Sequence, residues 1–466
     1  MYNKNTHIHF MGIGGIGMSG IALLLREQGY IVSGCDLDVS QKSVQSLITK
    51  GCTVHHGNNT LGCLDESIDI LVYSTDIVIY SATHAQQNPE IIAAKQKNIP
   101  VIHRSLMLAE LMRTKFSIAV SGSHGKTTTT SLLSHILLTA QRDPSIIVGG
   151  YVKNIKNNAY AGSSSLLVAE ADESDRSFLN LSPAINVVTN IDLEHLETYK
   201  DITDIKESFK KFIENVPFYG KSIICTDNEH ISALLPELKS NYVTYGIEHT
   251  AEFRATDITI ESTHSTFTVM HKDKVLGSLK LAIPGYHNIL NSLATIAVAH
   301  TLQVSFETIK EALATFAGVE RRFSFRGTFK DAELFEDYGH HPEEIKQTIT
   351  MARKRSKNKL TVIFQPHRYS RTHKLWDLFI ETLLQLPIDN LIITDIYASN
   401  EAPIANIDAK RLTSELAAKK PTFTLSYVPY DAHFTAIKST LTPLVNPNDL
   451  ILLVGAGGIN KLIDFL

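Results

Sequence analysis

The sequence lacks the features that mark membrane-spanning and nucleic-acid-binding chains. No segment reaches the roughly 18 uninterrupted apolar residues that a transmembrane helix needs. The 466 residues carry 44 basic and 48 acidic side chains, and the net charge is −4. Such a balance gives no electrostatic reason to bind nucleic acid or an anionic membrane. We therefore expect no nucleic-acid partner and no membrane insertion.

Cysteine is also scarce. The four cysteines, at positions 35, 52, 63 and 225, show no Cys-x-x-Cys spacing. The apolar stretch from Phe10 to Leu25 does not fit a signal sequence, because it contains five glycines and lacks a small-residue cleavage site. We expect reduced thiols in a cytoplasmic protein.

Chain length and the alternation of apolar strand patterns with helical patterns predict several α/β domains. At roughly 100–200 residues per domain, two to four domains are expected. The pattern favours an N-terminal Rossmann-like domain of residues 1–106 and a central P-loop domain of residues 107–322. The central domain is predicted to combine a mostly parallel sheet with a small antiparallel one. Residues 323–466 form a second Rossmann-like domain in this prediction.

One stretch of the central domain predicts a phosphate-binding loop. A buried strand from Ser117 leads into Gly122-Ser123-His124-Gly125-Lys126-Thr127, and helical spacing follows. Backbone N–H groups of such a turn face an anion, the lysine supplies positive charge and the threonine hydroxyl can ligate Mg²⁺. The loop is two residues shorter than the usual spacing. An ordinary strand-to-helix turn with a solvated lysine is the alternative.

A second glycine-rich turn lies near the N-terminus. Gly12, Gly14 and Gly17 satisfy Gly-x-Gly-x-x-Gly after a predicted strand, and Asp36 follows the next strand. This spacing is typical of dinucleotide binding, but the same geometry holds any diphosphate. A nicotinamide-dependent oxidoreductase is therefore one open hypothesis, and a packing turn without a ligand is another. Ser81, after a strand predicted at residues 77–80, lies in a loop where ligands of open α/β sheets bind.

Two strands of the central domain are followed by residues that can bind a metal ion. Glu170 ends one strand and begins an acidic stretch that runs to Asp175, and His195 follows the strand at residues 185–190. Acidic groups at strand ends beside a phosphate loop are typical of a magnesium site. A solvated acidic loop remains the alternative for Asp172 and Asp175, and a structural role remains the alternative for His195.

Polar groups farther along the chain complete the candidate site. Asn288 and Asn291 share one face of a predicted helix and could read a purine edge, although helix capping by Asn288 is an alternative. Strand-to-helix turns at residues 337–341 and 367–372 concentrate Asp, Tyr, His and Arg. Arg368 and Arg371, in the second of these turns, suit a carboxylate ligand.

Five of these stretches stand in the order and approximate spacing of one known family. The chain resembles the Mur ligases from about residue 7 to its C-terminus, through residues 12–20, 122–129, 170–175, 337–342 and 367–371. The resemblance implies ATP and Mg²⁺ as cofactors and a ligase that joins L-alanine to UDP-N-acetylmuramate during peptidoglycan precursor synthesis. We expect a monomer or a homodimer.

The resemblance also implies a role for individual residues. The UDP-sugar would contact Gly14, Gly15, Gly17, Met18, Ser19, Asp36 and Ser81. ATP would contact Gly122, Ser123, His124, Gly125, Lys126, Thr127, Thr128, Asn288, Arg322 and Asp337. Thr127 and Glu170 would hold one Mg²⁺, and His195 would hold a second. L-Alanine and the muramyl carboxylate would face Tyr338, His340, Arg368 and Arg371. Catalysis would rest on Lys126, His195, His340 and Arg371.

The implied chemistry proceeds through an acyl phosphate and a tetrahedral intermediate, so no protein nucleophile is required. His195 and His340 are both candidates for the base that deprotonates the amine. Glu194 and Glu197 stand where the family more often has Asp, and Gly458 replaces an acidic residue. A recycling ligase that adds a preformed peptide to UDP-N-acetylmuramate is the alternative within the family.

Overall fold

A computed structural model describes residues 3–57, 63–64, 67–74, 88–195, 198–399 and 401–466. The chain divides into two compact units, one of residues 1–260 and 264–318 and the other of residues 261–263 and 319–466. Three β-sheets with accompanying helices confirm the predicted α/β class. The domain boundaries after residues 106 and 322 remain predictions, and the first of them lies inside a helix, Arg104–Arg113.

Among the residues that the structure describes, the first sheet has five parallel strands. Its spatial order is β3-β2-β1-β4-β5. Successive strands are therefore added on one side of β1 up to β3 and on its other side from β4 onward. Ligands of open α/β sheets bind where the strand order changes in this way, here between β1 and β4. The strands are β1 (His7–Met11), β2 (Ile31–Asp36), β3 (Thr53–His56), β4 (Ile70–Tyr73) and β5 (Val101–His103). The helices in the described part of this domain are α1 (Ile16–Glu27), α2 (Lys42–Thr49), α3 (Pro89–Gln96) and α4 (Arg104–Arg113).

The sequence pattern misses β3. Thr53, His55 and His56 are exposed, so no buried apolar run marks this strand. The apolar run from Ile68 to Tyr73 predicts a strand over those residues, and β4 begins two residues later, at Ile70. The strand predicted at residues 77–80 and the loop with Ser81 lie outside the described residues.

The central sheet has ten strands and belongs to the first unit. Its spatial order is β15-β14-β13-β12-β11-β10-β6-β9-β7-β8, parallel from β13 to β7 and antiparallel at both ends. This is the predicted mixture of parallel and antiparallel strands. The strands are β6 (Phe116–Ser121), β7 (Ser145–Val152), β8 (Asn157–Tyr160), β9 (Leu166–Glu170), β10 (Ile185–Val188), β11 (Lys221–Cys225), β12 (Tyr242–Gly246), β13 (Phe253–Ile260), β14 (Ser265–His271) and β15 (Lys274–Leu281).

Helix α1 packs against this central sheet as well as its own. Its residues Met18–Leu25 are all buried, because one face covers the first sheet and another meets β7 and β8. A Cβ atom on Gly20 would lie 2.9 Å from Ile147 Cγ2, so a side chain at this position would separate helix and strand. The helices of the central domain are α5 (Lys126–Thr139), α6 (Ile202–Glu214), α7 (Glu229–Ser232), α8 (Tyr286–Thr301) and α9 (Phe306–Thr315).

The second unit is built on a six-stranded sheet of order β16-β17-β21-β18-β19-β20. Only β16 runs antiparallel, and two apolar clusters pack against the sheet. The strands are β16 (Ser324–Phe329), β17 (Ala332–Asp337), β18 (Leu360–Phe364), β19 (Asn390–Ile393), β20 (Thr424–Tyr427) and β21 (Leu450–Val454). The helices are α10 (Pro342–Arg355), α11 (Tyr369–Lys374), α12 (Trp376–Leu384), α13 (Ala409–Ala418) and α14 (Thr435–Leu441).

Within the described ranges, no helix has both the length and the apolar character needed to cross a lipid bilayer.

Candidate functional site

The predicted phosphate loop connects β6 to α5. Gly122 and Gly125 have positive φ angles of 135° and 83°, and added Cβ atoms would lie 2.0 Å from Thr189 Oγ1 and 2.6 Å from Asn291 Oδ1. Glycine is therefore required at both positions for conformation and for space. Helix α5 begins after Gly125 without a side-chain cap, so its first N–H groups are oriented as an anion site.

The end of β10 fixes the shape of this loop. Asn190 Oδ1 accepts a 2.7 Å hydrogen bond from the His124 N–H, and the Thr189 hydroxyl donates a 2.6 Å bond to the His124 carbonyl. The His124 ring lies over the same segment, with Nε2 3.1 Å from a carboxylate oxygen of Asp192. Sequence spacing assigned His124 no specific task, and the geometry makes it a support of the loop.

Lys126 lies inside the loop. Its Nζ donates hydrogen bonds to the carbonyls of Gly122 (2.6 Å) and Ser123 (3.0 Å) and to Glu173 Oε1 (2.7 Å). Burial alone would lower the pKa of Lys126, but the carboxylates of Glu173 and Glu170 outweigh this effect and raise it to about 12. The lysine therefore remains a cation over the whole physiological pH range.

The predicted metal ligands form two neighbouring groups. Thr127 Oγ1 lies 3.2 Å from Glu170 Oε1, and Glu170 Oε2 accepts a 2.8 Å hydrogen bond from the Gly149 N–H. His195 instead lies beside Glu173 and Glu194, with ligand atoms of the three residues within 4.8 Å of one another. The structure thus brings Thr127 and Glu170 together and places His195 with two further carboxylates.

Glu173 is the residue of this site to which the sequence analysis gave no role. Its side chain is 3 % exposed, its Oε1 bonds to Lys126, and among the described residues its buried Oε2 has no hydrogen-bond partner. Hydroxyl and carboxylate oxygens are the ligands that Mg²⁺ prefers, and a cation would satisfy this buried oxygen. The donors therefore fit a magnesium ion. In the sequence, the position of Glu173 within the acidic stretch 170–175 is the feature that could indicate its role.

The N-terminal glycine turn is held by Asp36. Asp36 Oδ2 accepts a 2.8 Å hydrogen bond from the Gly14 N–H, and Oδ1 accepts from Gln41 Nε2 (2.9 Å). An added Cβ on Gly14 would lie 2.5 Å from Gln41 Nε2. This carboxylate therefore orients the turn itself.

Other residues predicted to bind the UDP-sugar occupy different environments. Gly15 precedes α1, which has no side-chain cap and so offers backbone N–H groups to a ligand. The Met18 and Ser19 side chains are buried, and Ser19 Oγ accepts a 3.0 Å hydrogen bond from Asn158 Nδ2 of β8. Ser81 and Glu197 lie outside the described residues.

Arg104 connects the glycine turn to the central domain, and no sequence motif marked it. Its Nη1 would lie 3.3 Å from a Cβ on Gly17, and its Nη2 donates a 2.6 Å hydrogen bond to Asp172 Oδ2. Burial alone would raise the pKa of Asp172, but the Arg104 guanidinium and hydrogen bonds from Ser174 hold it well below its usual range. Asp172 thus forms an ion pair with Arg104 while its side chain stays 37% exposed.

The two asparagines of α8 are indeed neighbours. Asn291 Nδ2 donates a 3.4 Å hydrogen bond to Asn288 Oδ1, and Asn288 Nδ2 donates to the Pro284 carbonyl at 2.7 Å. The helix begins after Gly285, so the alternative of Asn288 as its N-cap is wrong. Asn291 also lies beside Gly125 and thus joins α8 to the phosphate loop.

The second unit carries the predicted ribose and phosphate contacts at the end of β17. Asp337 accepts hydrogen bonds from the N–H groups of Gly339 (2.7 Å) and Phe323 (2.8 Å), and burial raises the pKa of its carboxyl. The guanidinium carbon of Arg322 lies 5.6 Å from the centre of the Tyr338 ring. Arg321 packs closer to the same ring, at 4.7 Å, and donates to the carbonyls of residues 455 and 457.

A cationic cluster lies within the same unit. Arg371 Nη1 donates a 3.1 Å hydrogen bond to His367 Nδ1, and the rings of His340 and His367 are 5.9 Å apart. Burial and the Arg371 guanidinium lower the pKa of His367 to about 3 and hold that of His340 well below its usual range. Both histidines are therefore neutral near pH 7, while Arg368 and Arg371 keep their charge. Neutral histidine and fixed arginine suit a carboxylate ligand.

Comparison with known proteins now identifies the family. Models of the Mur ligase family described as its catalytic, middle and glutamate ligase domains match residues 7–116, 120–299 and 321–457. The chain belongs to the Mur ligase family, which confirms the resemblance found in the sequence.

Individual relatives narrow the comparison further. The chain is 46% identical over 463 residues to the UDP-N-acetylmuramate–L-alanine ligase of Desulforapulum autotrophicum, covering 99% of this chain and 98% of the relative. It is 44% identical to the enzyme of the same name from Syntrophotalea carbinolica, covering 98% and 97%. The crystal structure of the UDP-N-acetylmuramate–alanine ligase of Thermotoga maritima is 28% identical, covers 99% of this chain and 98% of its own, and superposes with a TM-score of 0.81.

Proposed function

We propose that this chain is an ATP-dependent ligase that joins the amine of L-alanine to the lactyl carboxylate of UDP-N-acetylmuramate. The observation that carries the proposal is the set of groups around Lys126, which combines a phosphate loop with carboxylates suited to Mg²⁺. Full-length similarity to ligases of that name selects the reaction within the family. The reaction forms a peptidoglycan precursor, and we assign it to the cytoplasm and to a monomer or homodimer.

The phosphate loop would bind the ATP triphosphate. Backbone N–H groups at residues 122–128 would face its oxygens, and Lys126 would exchange its bonds to loop carbonyls for the terminal phosphates. We assign the adenine to Asn288, the ribose to Asp337 and phosphate charge to Arg322. Because phosphoryl transfer depends mostly on positioning and on charge stabilisation, these groups are sufficient without a protein nucleophile.

Thr127 and Glu170 would hold one Mg²⁺ and His195 a second, and we add Glu173 beside His195 because of its buried oxygen. When bound, the ions neutralise phosphate charge during transfer. Glu173 would also keep Lys126 protonated and oriented toward the loop.

The glycine turn at residues 14–19 would bind the diphosphate of the UDP-sugar, with Asp36 orienting the turn. Ser81 would assist at the same diphosphate. The uncapped start of α1 supplies N–H groups for this purpose. The turn is thus assigned to a diphosphate whose sugar carries the reacting carboxylate.

The cationic cluster of the second unit would receive the carboxylate groups. We assign Tyr338, His340, Arg368 and Arg371 to L-alanine and the muramyl carboxylate. His340 is neutral at pH 7 because burial and Arg371 hold its pKa low, so it can accept a hydrogen bond from an ammonium. A base with so low a pKa removes a proton weakly. His195 is the other candidate, and its ring could take the proton only while it is not bound to Mg²⁺.

In the proposed reaction the lactyl carboxylate attacks the γ-phosphorus of ATP, and ADP leaves. The amine of L-alanine then attacks the acyl phosphate carbonyl, loses a proton to a base and gives a tetrahedral intermediate. Collapse of this intermediate forms the amide and expels phosphate. Every bond that changes lies in a substrate, so the chain supplies binding, charge and exclusion of water.

Phosphate release from ATP tests the proposal. Release by the purified protein should require UDP-N-acetylmuramate and L-alanine together, and mass spectrometry should show the alanyl product. A second reaction replaces L-alanine with a preformed tripeptide. Greater turnover with the tripeptide would indicate a recycling ligase, and turnover of a nicotinamide cofactor would indicate an oxidoreductase; either outcome would overturn the proposal.

A further inference from the structure

Three buried side chains of the N-terminal domain take no part in the proposed reaction. Cys35 lies in β2, Cys63 follows β3, and Glu90 is in the first turn of α3. They are between 0 and 5 % exposed. The two sulfurs and one carboxylate oxygen all lie within 4.8 Å of one another. Two thiols and a carboxylate from three separate elements therefore meet inside one domain.

The separations match those of ligands around a tetrahedral metal ion. Cys35 Sγ lies 3.5 Å and 3.7 Å from the two Glu90 oxygens. With metal–sulfur bonds of about 2.3 Å and metal–oxygen bonds of about 2.1 Å, two tetrahedral ligands are about 3.6–3.8 Å apart. The Cys35–Glu90 pair already has this separation, and the pairs that include Cys63, which lie within 4.8 Å, would have to close by up to about 1 Å to receive an ion.

The fold fixes the ligand-bearing backbone. Asn88 Oδ1 accepts a 2.9 Å hydrogen bond from the Glu90 N–H and caps α3, whose positive end stabilises the carboxylate. Cys35 is paired with Met11 in the register of β1 and β2. Since Cys35 and Glu90 belong to regular elements, these two of the three ligand positions are preorganised.

The surroundings of the cluster are apolar. Met11, Leu71 and Ile91 belong to the same buried group as the two cysteines. Burial and the Glu90 carboxylate raise the pKa of the Cys35 thiol, so this thiol holds its proton in the metal-free protein. A bound cation would replace such protons and neutralise the buried carboxylate.

We propose that Cys35, Cys63 and Glu90 form a binding site for one thiophilic divalent cation, with zinc as the expected metal. Two sulfur ligands favour zinc over magnesium, which prefers oxygen. The site is separate from the Thr127 and Glu170 pair, which offers only oxygen atoms. The inference does not depend on the proposed ligase reaction.

The site also adjoins the glycine turn. The Cys35 carbonyl accepts a 3.0 Å hydrogen bond from the Ile13 N–H, and the next residue, Asp36, bonds to the Gly14 N–H. An ion bound to Cys35 would therefore restrain the end of β2 that carries this turn. Zinc binding should change the affinity of the turn for UDP by a measurable factor.

Cobalt titration of the reduced full-length protein tests the proposal. With excess Mg²⁺ occupying oxygen sites, one equivalent of Co²⁺ should produce a thiolate-to-cobalt charge-transfer band, and Zn²⁺ should abolish it. Cys63→Ser should remove at least about nine-tenths of the band. Cys52→Ser, which changes a buried cysteine outside the cluster, is the matched control and should leave the band intact.

A measurement on the unaltered protein excludes folding artefacts. X-ray absorption of the zinc-loaded chain should show two sulfur ligands at about 2.3 Å. Because a thiol loses its proton when it binds a metal ion, affinity should rise with pH. Absence of the band, equal bands in Cys63→Ser and Cys52→Ser, zinc without sulfur ligands, or a Cys35–Cys63 disulfide that binds no metal would each overturn the proposal.

Discussion

The Lys126 ammonium and the Glu173 carboxylate form a 2.7 Å ion pair behind the phosphate loop. Glu173 belongs to the turn after β9. The acidic stretch 170–175 therefore supplies the carboxylate that orients the lysine of the phosphate loop. The pair stays charged because the Glu173 and Glu170 carboxylates hold the pKa of Lys126 at about 12 despite its burial. The loop is thus prepared for an anion before any nucleotide binds.

Replacing Glu173 should raise the magnesium requirement of the enzyme. Glu173→Gln removes the charge that faces Lys126 and His195, and loss of a ligand or supporting group typically weakens metal binding about 10–100-fold. Phosphate release measured against Mg²⁺ concentration checks this. Glu229→Gln, on an exposed side chain, is the control. An unchanged magnesium curve in Glu173→Gln would remove this residue from the site.

Lys126→Ala should impair the use of ATP and leave the binding of the UDP-sugar intact. ATP turnover should fall about a thousandfold, since removal of one preorganised donor to a developing charge costs about 10²–10³. UDP-sugar binding, measured by calorimetry, should stay within about twofold. Lys239→Ala, on the exposed surface, should change neither quantity. Loss of UDP-sugar binding in Lys126→Ala would contradict the assignment of the two turns to different substrates.

Asp36 and Gln41 should act on UDP-sugar affinity as a coupled pair. Asp36→Asn and Gln41→Met each disturb the bonds that orient Gly14, so each should weaken UDP-sugar binding by about tenfold. In the double variant the effects should fall short of additivity by at least about 0.5 kcal/mol. Additive losses would mean that Asp36 contacts the ligand directly and not through the turn.

Arg104→Met should lower kcat/KM without unfolding the protein. The change removes the charge-assisted bond between Arg104 and Asp172; because the Asp172 side chain is 37% exposed, we expect a loss of no more than about tenfold. The methionine retains the packing against Gly17. Arg113→Met, on a side chain 73% exposed, serves as the matched control. Equal activity of both variants would show that the Arg104 pair is purely a structural contact.

The stability of the second unit should fall as the pH drops from about 6.5 toward 3. Burial and the Arg371 guanidinium lower the pKa of His367 to about 3 in the folded protein, whereas an unfolded histidine titrates near 6.5. Within this window the unfolded chain binds the additional proton, so acid favours unfolding by up to about 1.4 kcal/mol per pH unit. His367→Gln should flatten the dependence of the urea midpoint on pH. Replacement of the exposed His433 by Gln should leave it unchanged, and parallel slopes in the two variants would contradict the assignment.

The backbone motifs of this protein can be predicted from its sequence more completely than the partners of its side chains. Gly122 and Gly125 were recognisable because glycine, lysine and threonine at fixed offsets reflect local backbone geometry. Glu173 and Arg104 were not assigned, because each owes its position to a partner that is distant in the sequence. β3 was missed because half-exposed polar strands carry no apolar pattern. A single sequence thus indicates motifs formed by neighbouring residues, but it does not indicate which distant side chains contact each other in the fold.

The absence of a side chain at Gly20 limits which residues can occupy the positions that pack against it. A Cβ there would lie 2.9 Å from Ile147 Cγ2 and 3.5 Å from Ala159 Cβ, so the separation between α1 and β7 depends on the combined volume at these positions. A methyl group gained at position 20 must be offset by one lost at position 147. Related chains should therefore exchange volume between the two positions, and the glycine turn and the phosphate loop should keep their spacing while both residues change.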